Sequence, residues 1–287
     1  MTDSVYFSIV TPVLNGRDFV DKFVLCLQLQ IYTHWEVIIV DDGSSDGTID
    51  LIHALVRDDR RFRVLSNPCP KQINGPYQAR NHGLSLVRGD YVCFLDIDDF
   101  WHPERLLVLS RLIENASVRP VLAYSSYFRI DACRQLAFKR FSSWPMSPKF
   151  LIRFVNIVPM LASCVSVEFL RSLDIRFLPV NHEDYIFWKT VIDRVSSPRI
   201  CVDNSALAYY TMRSSSLSGN KFRALSWLMI CYDNFGYSFL QKIMALASRA
   251  LLEFLSAIRT CCGGSASSKF RLIPDQIRPG SNTSKSV

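Results

Sequence analysis

Several features are missing from this 287-residue sequence, and each absence argues against a class of protein. None of its nine cysteines stands in a Cys-x-x-Cys pair and their number is odd, which argues against a zinc site or a secreted disulfide framework. The N-terminus, MTDSVYFSIVTP, has no basic segment followed by a long apolar one, so no secretory signal is evident. No uninterrupted apolar run reaches the roughly eighteen residues that a membrane-spanning helix requires. We therefore expect a cytoplasmic protein.

A glycine-rich phosphate loop is also missing. The turn after the first apolar segment is TPVLNGRD, which matches neither G-x-G-x-x-G nor G-x-x-x-x-G-K and argues against a dehydrogenase or pyrophosphorylase. The net charge of +7 favours anionic partners, including phosphorylated metabolites and anionic lipid. Its basic residues are dispersed without a basic and aromatic module, so we expect no nucleic-acid partner.

The apolar residues that are present, 49% of the chain, follow an alternating pattern. Short β-branched segments alternate with amphipathic ones over the first hundred residues, which predicts an α/β fold with a mostly parallel central sheet flanked by helices. The predicted strands here cover residues 8–13, 36–42, 62–66 and 91–95. Helices are predicted to begin near Phe19, Thr48 and Tyr77.

The second half of the chain has a more mixed pattern. We expect a strand and its return within residues 121–140 and a helix over 183–195. Two further strands are predicted at 199–202 and 206–212. No internal repeat is evident.

Two of the predicted strands end in carboxylates, one in Asp41 and Asp42 and the other in Asp96, Asp98 and Asp99. Because ligands of open α/β sheets bind beyond the carboxyl ends of the strands, both clusters should face one site. Crowded carboxylates favour a cation, and oxygen ligands suit Mg²⁺ or Mn²⁺ that takes further ligands from a diphosphate. The alternative is that the triplet only ends the strand and caps the next helix.

Further candidates come from later segments. Glu183 and Asp184 stand at a predicted helix start, where a carboxylate could act as a base for a sugar hydroxyl, although the helix dipole alone also favours acids there. Arg80, Arg213 and Lys221 are candidate cations for a diphosphate leaving group. Each of the three could equally be a solvated surface charge.

Four segments occur in the order SIVTPVLNG, LQIYTHWEVIIVDDGSSDGT, GPYQARNHGLSLVRGDYVCFLDIDDFWHPERL and NHEDYIFW. Together they resemble the family 2 glycosyltransferases of the GT-A fold, particularly bacterial enzymes of cell-surface polysaccharide assembly. The resemblance covers roughly residues 5–220. It implies a metal-dependent, inverting single displacement that moves a sugar from a nucleotide-diphosphate donor to a hydroxyl of a glycan or a lipid-linked acceptor.

The resemblance also implies roles for individual residues. Asp42 matches the position that contacts the nucleoside. Asp98 and Asp99 match the acidic pair that holds ribose and the metal-bound diphosphate, with Asp96 as a supporting donor-site acid. Asp184 matches the catalytic base.

Three more positions are implied for the donor pocket. Thr11 and Asn15 fall at the first strand exit, where the chain approaches the nucleotide base, and Arg80 supports the nucleotide pocket. Many relatives have Ser or Ala where this chain has Ile97, which leaves open which two carboxylates bind the metal. The segment YYTMRSSSLSGNK lacks a histidine that many relatives have, and Arg213 is the substitute.

We expect three parts: a catalytic domain over 1–223, an amphipathic helical segment over 224–262 and a disordered tail over 263–287. The helical segment could lie on the inner face of the cytoplasmic membrane beside a lipid-linked acceptor, or pack on the domain or a second subunit. A non-catalytic nucleotide-sugar-binding protein of the same fold is the alternative function. Donor, acceptor, linkage and oligomeric state are not specified by the sequence.

Overall fold

The structure is a computed structural model that describes residues 4–68, 75–131, 136–140, 144–212 and 221–262. These ranges contain nine strands: β1 (Phe7–Val13), β2 (Trp35–Asp41), β3 (Phe62–Ser66), β4 (Tyr91–Phe94), β5 (Phe100–Trp101), β6 (Leu122–Asp131), β7 (Leu136–Arg140), β8 (Ser163–Ser166) and β9 (Ile200–Met212). They also contain nine α-helices: α1 (Val20–Gln28), α2 (Thr48–Val56), α3 (Tyr77–Ser85), α4 (Arg105–Glu114), α5 (Pro148–Leu151), α6 (Val167–Ser172), α7 (Glu183–Arg194), α8 (Lys221–Asn234) and α9 (Phe239–Cys262).

All nine strands belong to one sheet. Its order is β3-β2-β1-β4-β8-β6-β9-β5, and β7 pairs with β6. The strands β3, β2, β1 and β4 run parallel, whereas β8 pairs antiparallel with both β4 and β6. The strands β6 and β9 are parallel to each other. The predicted α/β class with a mostly parallel sheet flanked by helices is confirmed, and the sheet is mixed in its second half.

Both faces of β1, β2 and β4 are buried, which explains why these strands are rich in apolar residues. Along β2, Val37 and Ile39 belong to one core cluster, and Ile38 and Val40 belong to the other. The first cluster includes buried side chains of α1, α2 and α4, and the second those of α3, α7, α8 and α9. The sheet therefore packs between two layers of helices. The carboxyl ends of its parallel strands lie along one edge of the sheet.

The predicted strands and helices of the first hundred residues agree with the structure to within a few residues, and 62–66 agrees in full. The prediction of two strands at 199–202 and 206–212 is wrong, because β9 is continuous. Its register against β6 shifts where Asp203 pairs with Ser125 and Ala206 pairs with Ser126, so a bulge accommodates the polar residues between. The short elements β5, β8, α5 and α6 were not predicted, since segments of two to six residues carry little periodic signal.

The C-terminal segment is helical, as expected. Within the described part of the chain, no helix has the length and apolar character needed to cross a membrane. Leu228, Tyr232 and Ala245 of α8 and α9 are buried in the second core cluster. One face of this segment therefore packs on the domain, which is one of the two arrangements that the sequence left open.

Candidate active site

A cavity of about 410 Å³ opens beside the exit of β4. Its polar lining residues include Arg80, Asp96, Asp99, Arg129, Asn156 and Asp184. Its apolar lining residues, which we call the apolar wall, include Trp144, Val155, Ile157, Met160, Leu161 and Leu252. The structure thus brings together two acids of the β4 exit and the predicted base at the start of α7, although 85 or more residues separate them in the sequence.

The exits of β1 and β2 lie next to this region of the sheet edge and do not line the cavity. Asp42 is buried, and Asn67 Nδ2 donates a hydrogen bond to its Oδ1 at 2.6 Å. The hydroxyl of Thr11 is also buried and makes no hydrogen bond with the described residues. Asn67, which no sequence motif marks, therefore holds Asp42 in place.

The loop after β1 is tied to the loop after β2 through Asn15. Its φ of +51° lies in the left-handed region, which Asn tolerates better than most residues. Its N–H donates to Ser44 Oγ at 3.0 Å, and its Oδ1 accepts from the Ser45 N–H at 2.9 Å. The side chain of Asn15 is thus used to brace the two loops, and its predicted contact with a nucleotide stays a prediction.

Arg80 links the two acidic segments of the site. Its side chain is 7% exposed. Nη1 donates to Glu183 Oε1 at 2.6 Å and Nη2 donates to Asp96 Oδ1 at 2.8 Å. A guanidinium suits this bridge because its rigid fork can serve two carboxylates at once. The structure therefore places Arg80 in the lining of the cavity, where it supports two carboxylates.

Close packing of α3 on the sheet fixes the position of Arg80. Gly83 lies one turn further along this helix, and a Cβ added there would lie 2.6 Å from Cγ1 of Val10 on β1. Only a glycine allows this helix and strand to approach so closely. The sequence motif QARNHG thus combines a buried cation with the residue that lets it reach the sheet edge.

Burial changes the acid–base character of Glu183. Desolvation raises the pKa of its carboxyl to about 7, with the neighbouring Arg80 opposing this effect and Asp184 adding to it. Glu183 occupies the first turn of α7, where the helix dipole favours a negative charge. Its ion pair with Arg80 thus joins α7 to the β4 exit.

Asp184, the predicted base, is half-buried and lines the cavity. Asn156 Nδ2 donates to its Oδ2 at 2.9 Å. His182, immediately before α7, has a φ of +58°, and its ring packs against Trp227 of α8 at a centroid distance of 5.6 Å. This turn, and the amide of Asn156, orient Asp184 toward the cavity.

The three acids after β4 have different surroundings. Asp96 is 39% exposed at the cavity wall. Asp99 is 4% exposed and accepts the Thr211 N–H of β9 at 2.9 Å through its Oδ1. Asp98 lies between them and is half-buried. Asp99 therefore holds β9 at the site, in addition to any role that it has in binding a metal.

Ile97, the residue that departs from the pattern of many relatives, is buried. A Cβ added to Gly16 would lie 2.9 Å from Ile97 Cγ2 and 3.2 Å from Val13 Cγ2. The side chain of Ile97 therefore packs under the loop after β1. This packing joins the segment after β4 to the loop after β1. The acids on either side of Ile97, Asp96 and Asp98, remain half-buried.

A cation that the sequence analysis missed lines the cavity. Arg129 of β6 lies there with Tyr210 of β9, whose ring centroid is 5.9 Å from its guanidinium carbon. Its Nε is buried and has no hydrogen-bond partner among the described residues. No motif marks this arginine, and only the pairing of β6 with β9 brings it to the site. Arg213 lies outside the described residues, as does the side chain of Lys221.

The carboxylates fit a hard divalent cation that arrives with a diphosphate. No group of three or more His, Cys, Asp or Glu side chains that could hold a metal occurs within the ranges that the structure describes. Mg²⁺ typically uses one or two protein carboxylates and completes its shell with phosphate oxygens and water. Asp96, partly open at the cavity wall, and the adjacent Asp98 and Asp99 offer oxygen ligands of the kind required.

The family to which the chain belongs follows from its first half. A model described as glycosyl transferase family 2 matches residues 8–156, which include β2 to β7 and all but the first residue of β1 and end at Asn156 beside Asp184. The chain belongs to this family.

Curated relatives of similar length agree with the family. The chain is 28% identical over 226 residues to an uncharacterized glycosyltransferase of Haemophilus influenzae, covering 78% of this chain and 86% of that protein. It is 29% identical over 219 residues to WfaP of Escherichia coli, a UDP-Glc:α-D-GlcNAc-diphosphoundecaprenol β-1,3-glucosyltransferase, covering 76% and 82%. TuaG of Bacillus subtilis, a putative teichuronic acid biosynthesis glycosyltransferase, is 28% identical over 221 residues, covering 76% and 83%.

Solved structures agree with the fold. The S. aureus protein TarS in complex with UDP-GlcNAc superposes with a TM-score of 0.62 at 19% identity, covering 95% of this chain and 78% of that one. The mannosyltransferase PcManGT from Pyrobaculum calidifontis, in complex with GDP-Man and Mn²⁺, has a TM-score of 0.60 at 14% identity, covering 94% and 79%. This family 2 glycosyltransferase therefore has the GT-A fold, as the sequence predicted.

Proposed function

We propose that this glycosyltransferase moves a sugar from a nucleotide-diphosphate donor to a hydroxyl of a lipid-linked or polysaccharide acceptor, with inversion at the anomeric carbon. The observation that carries the proposal is one cavity lined by Asp184, two acids of the β4 exit and Arg129. Relatives such as WfaP, whose acceptor is a diphosphoundecaprenol-linked sugar, support the acceptor class. TarS, solved with UDP-GlcNAc, supports the donor class.

The nucleoside end of the donor would lie along the exits of β1 and β2. Asp42 offers carboxylate oxygens to nucleoside hydroxyls or a base N–H, and Asn67 fixes its orientation. Thr11 and Asn15 would contribute to the same pocket from the β1 exit. The diphosphate would then extend toward the acids of the β4 exit, which is the edge where ligands of α/β sheets bind.

Asp184 is proposed as the catalytic base. The acceptor hydroxyl would give its proton to the Asp184 carboxylate as its oxygen bonds to the anomeric carbon. At the same time the bond from that carbon to the β-phosphate oxygen would break, and the nucleoside diphosphate would leave with the electron pair. Asn156, which donates to Oδ2, would leave the other carboxylate oxygen of Asp184 to take up the proton.

Charge on the leaving diphosphate would be met from two sides. A Mg²⁺ or Mn²⁺ ion held by Asp98 and Asp99, with Asp96 in support, would stabilise that charge as a Lewis acid. Arg129, which lines the cavity and whose Nε has no hydrogen-bond partner among the described residues, is the cation that would meet the phosphate oxygens from β6. Arg213 stays a candidate for the same role. Arg80 would act indirectly, because both of its terminal nitrogens already bind carboxylates.

The apolar wall of the cavity is proposed to receive the acceptor. Trp101 and Trp188 are fully buried, as expected of packing residues, whereas Trp144 is half-buried and lines the cavity. An indole can pack against the apolar face of a sugar ring, and Trp144 is the tryptophan placed to do so.

We further propose that the protein acts at the inner face of the cytoplasmic membrane. We also propose a catalytic domain over 1–223, an amphipathic helical segment over 224–262 and a tail over 263–287, and the tail lies outside the described residues.

The test uses the purified chain, a panel of nucleotide sugars, and Mn²⁺ or EDTA. We expect metal-dependent donor turnover in the wild type, and a loss of about 100-fold or more in turnover in Asp184→Asn with donor affinity retained. Asp98→Ala should lose both turnover and metal-dependent donor binding. Asp193→Asn, which changes an exposed acid of the same helix, is the matched control and should leave turnover intact.

Two outcomes would contradict the proposal. Turnover that survives Asp184→Asn would remove the assigned base. Donor binding by the wild type with no turnover on any acceptor would favour a non-catalytic nucleotide-sugar-binding protein of the same fold.

A further inference from the structure

The outer face of α9 is a continuous apolar surface. Its seven large apolar side chains, which we call the α9 stripe, are 43–79% exposed: Phe239, Leu240, Ile243, Met244, Leu251, Phe254 and Leu255. At 3.6 residues per turn they fall within about 160° of the helix circumference and extend over about 24 Å of its length. Contiguous apolar surface of this extent is uncommon on a protein that has no partner there.

Lys242 and Arg249, the two charged residues of α9 whose side chains the structure describes, do not lie on the stripe. Lys242 has a side chain that is only 16% exposed and forms an ion pair with Asp233 of α8. Arg249 is half-buried on the same side of the helix. Ala245 and Leu252 are buried in the second core cluster. These two cations thus lie toward the protein while the stripe faces outward, which is the reverse of a surface helix surrounded by water.

Basic residues flank one end of the stripe. Tyr237, two residues before Phe239, donates its hydroxyl proton to the carbonyl of Arg153 at 3.0 Å, which places α5 and the residues after it beside the start of α9. Lys149 and Arg153 both belong to this part of the chain, and Phe150 between them is 47% exposed. A surface that combines exposed aromatic and aliphatic side chains with neighbouring cations is complementary to an anionic lipid bilayer.

The opposite face of the same helix lines the candidate active site. Leu252 forms part of the apolar wall of the cavity. An α-helix with its side chains is about 10 Å across, so a bilayer against the stripe would lie about one helix diameter from the cavity. We infer that the α9 stripe, with Lys149 and Arg153, docks this glycosyltransferase on an anionic phospholipid surface and presents the cavity to a lipid-linked acceptor. The link to the acceptor rests on the proposed function, whereas binding to the bilayer does not.

The test is flotation of the full chain with vesicles of phosphatidylcholine alone and of phosphatidylcholine mixed equally with phosphatidylglycerol. We expect binding to the mixed vesicles that weakens as salt is added. Leu251→Gln with Phe254→Gln should lower the partition coefficient by about tenfold for each side chain removed from the bilayer. Lys149→Gln with Arg153→Gln should lower binding to the mixed vesicles alone. The matched control is Ile31→Gln with Leu55→Gln, two exposed apolar side chains outside the stripe that should leave binding unchanged.

Other outcomes would overturn the inference. If the wild type does not float, or if the stripe variant floats as well as the wild type, the stripe does not bind lipid. If the chain forms a dimer that the stripe variant dissociates while flotation is unaffected, the stripe binds a second copy. Donor hydrolysis without vesicles, measured on the same samples, separates the two proposals, because it tests the active site whether or not the stripe binds a membrane.

Discussion

Replacing Arg80 tests how the site is held together. Arg80→Met would leave Glu183, whose side chain is 9% exposed, as a buried carboxylate without its ion-pair partner. Breaking a buried pair in this way typically costs about 3–5 kcal/mol, and proton uptake by Glu183, whose pKa is already raised to about 7, should keep the loss near the lower end of that range at neutral pH. The second pair, with Asp96, contributes less, because that carboxylate is 39% exposed and such pairs are worth at most about 1 kcal/mol. Most of the loss should therefore come from Glu183.

Two further variants should lose less stability than Arg80→Met. Arg80→Lys keeps the positive charge but cannot serve both carboxylates with a fixed fork, so one charge-assisted hydrogen bond is lost, at about 1.5–3 kcal/mol. Arg80→Met combined with Glu183→Gln removes both partners and should recover most of the stability lost in Arg80→Met alone. The expected order of stability is wild type, Arg80→Lys and then Arg80→Met.

The assay is urea unfolding, followed by tryptophan fluorescence, with donor turnover measured on the same samples. A fall in the urea midpoint with an unchanged slope would show a loss of stability without a change in compactness. Equal stability of Arg80→Met and the wild type would refute the argument. So would a double variant that is less stable than Arg80→Met, because Glu183 could then not be the source of the loss.

Other predictions follow from the same region. Because desolvation raises the pKa of Glu183 to about 7 from 4.5, its protonated form should contribute stability that is present below pH 4.5 and lost as the pH rises through about 7; this part of the pH profile should be absent from Glu183→Gln. Gly83→Ala should destabilise the protein by about 1–3 kcal/mol, since the new Cβ would meet Val10 Cγ1 at 2.6 Å, and a thermal melt within error of the wild type would contradict this. Arg129→Met should lower donor turnover by about 100-fold with an unchanged melting temperature, whereas turnover equal to that of the wild type would exclude it from the site.

Local pattern alone was enough for the parallel half of the fold. Residues 62–66 were predicted as a strand and form β3, and β2 and β4 each end one residue before the predicted ends at 42 and 95. These segments are apolar on both faces and bounded by turn residues, so periodicity and length determine their type. The convergence of both acidic clusters on one edge followed from the rule for parallel strands.

Other elements could not be predicted in this way. The strand β9 was expected as two strands, since the polar residues 203–205 interrupt its apolar pattern, yet pairing with β6 carries it through a bulge. The sequence pattern of α9 does not show that Lys242 and Arg249 lie toward the protein while the apolar stripe is exposed. Which side of a helix faces the core depends on what packs there.

The sequence by itself determined the fold class, the family and the candidate acids of the site, because these depend on short segments and their order. Only the tertiary structure decided which side chains hold those acids. Asn67 binds Asp42, Asn156 binds Asp184, and Arg80 joins Glu183 to Asp96. Each of these contacts joins segments far apart in the chain. A hydrogen bond needs its partners within about 3 Å, and that proximity is created by the packing of the sheet and helices, which no spacing along the sequence records.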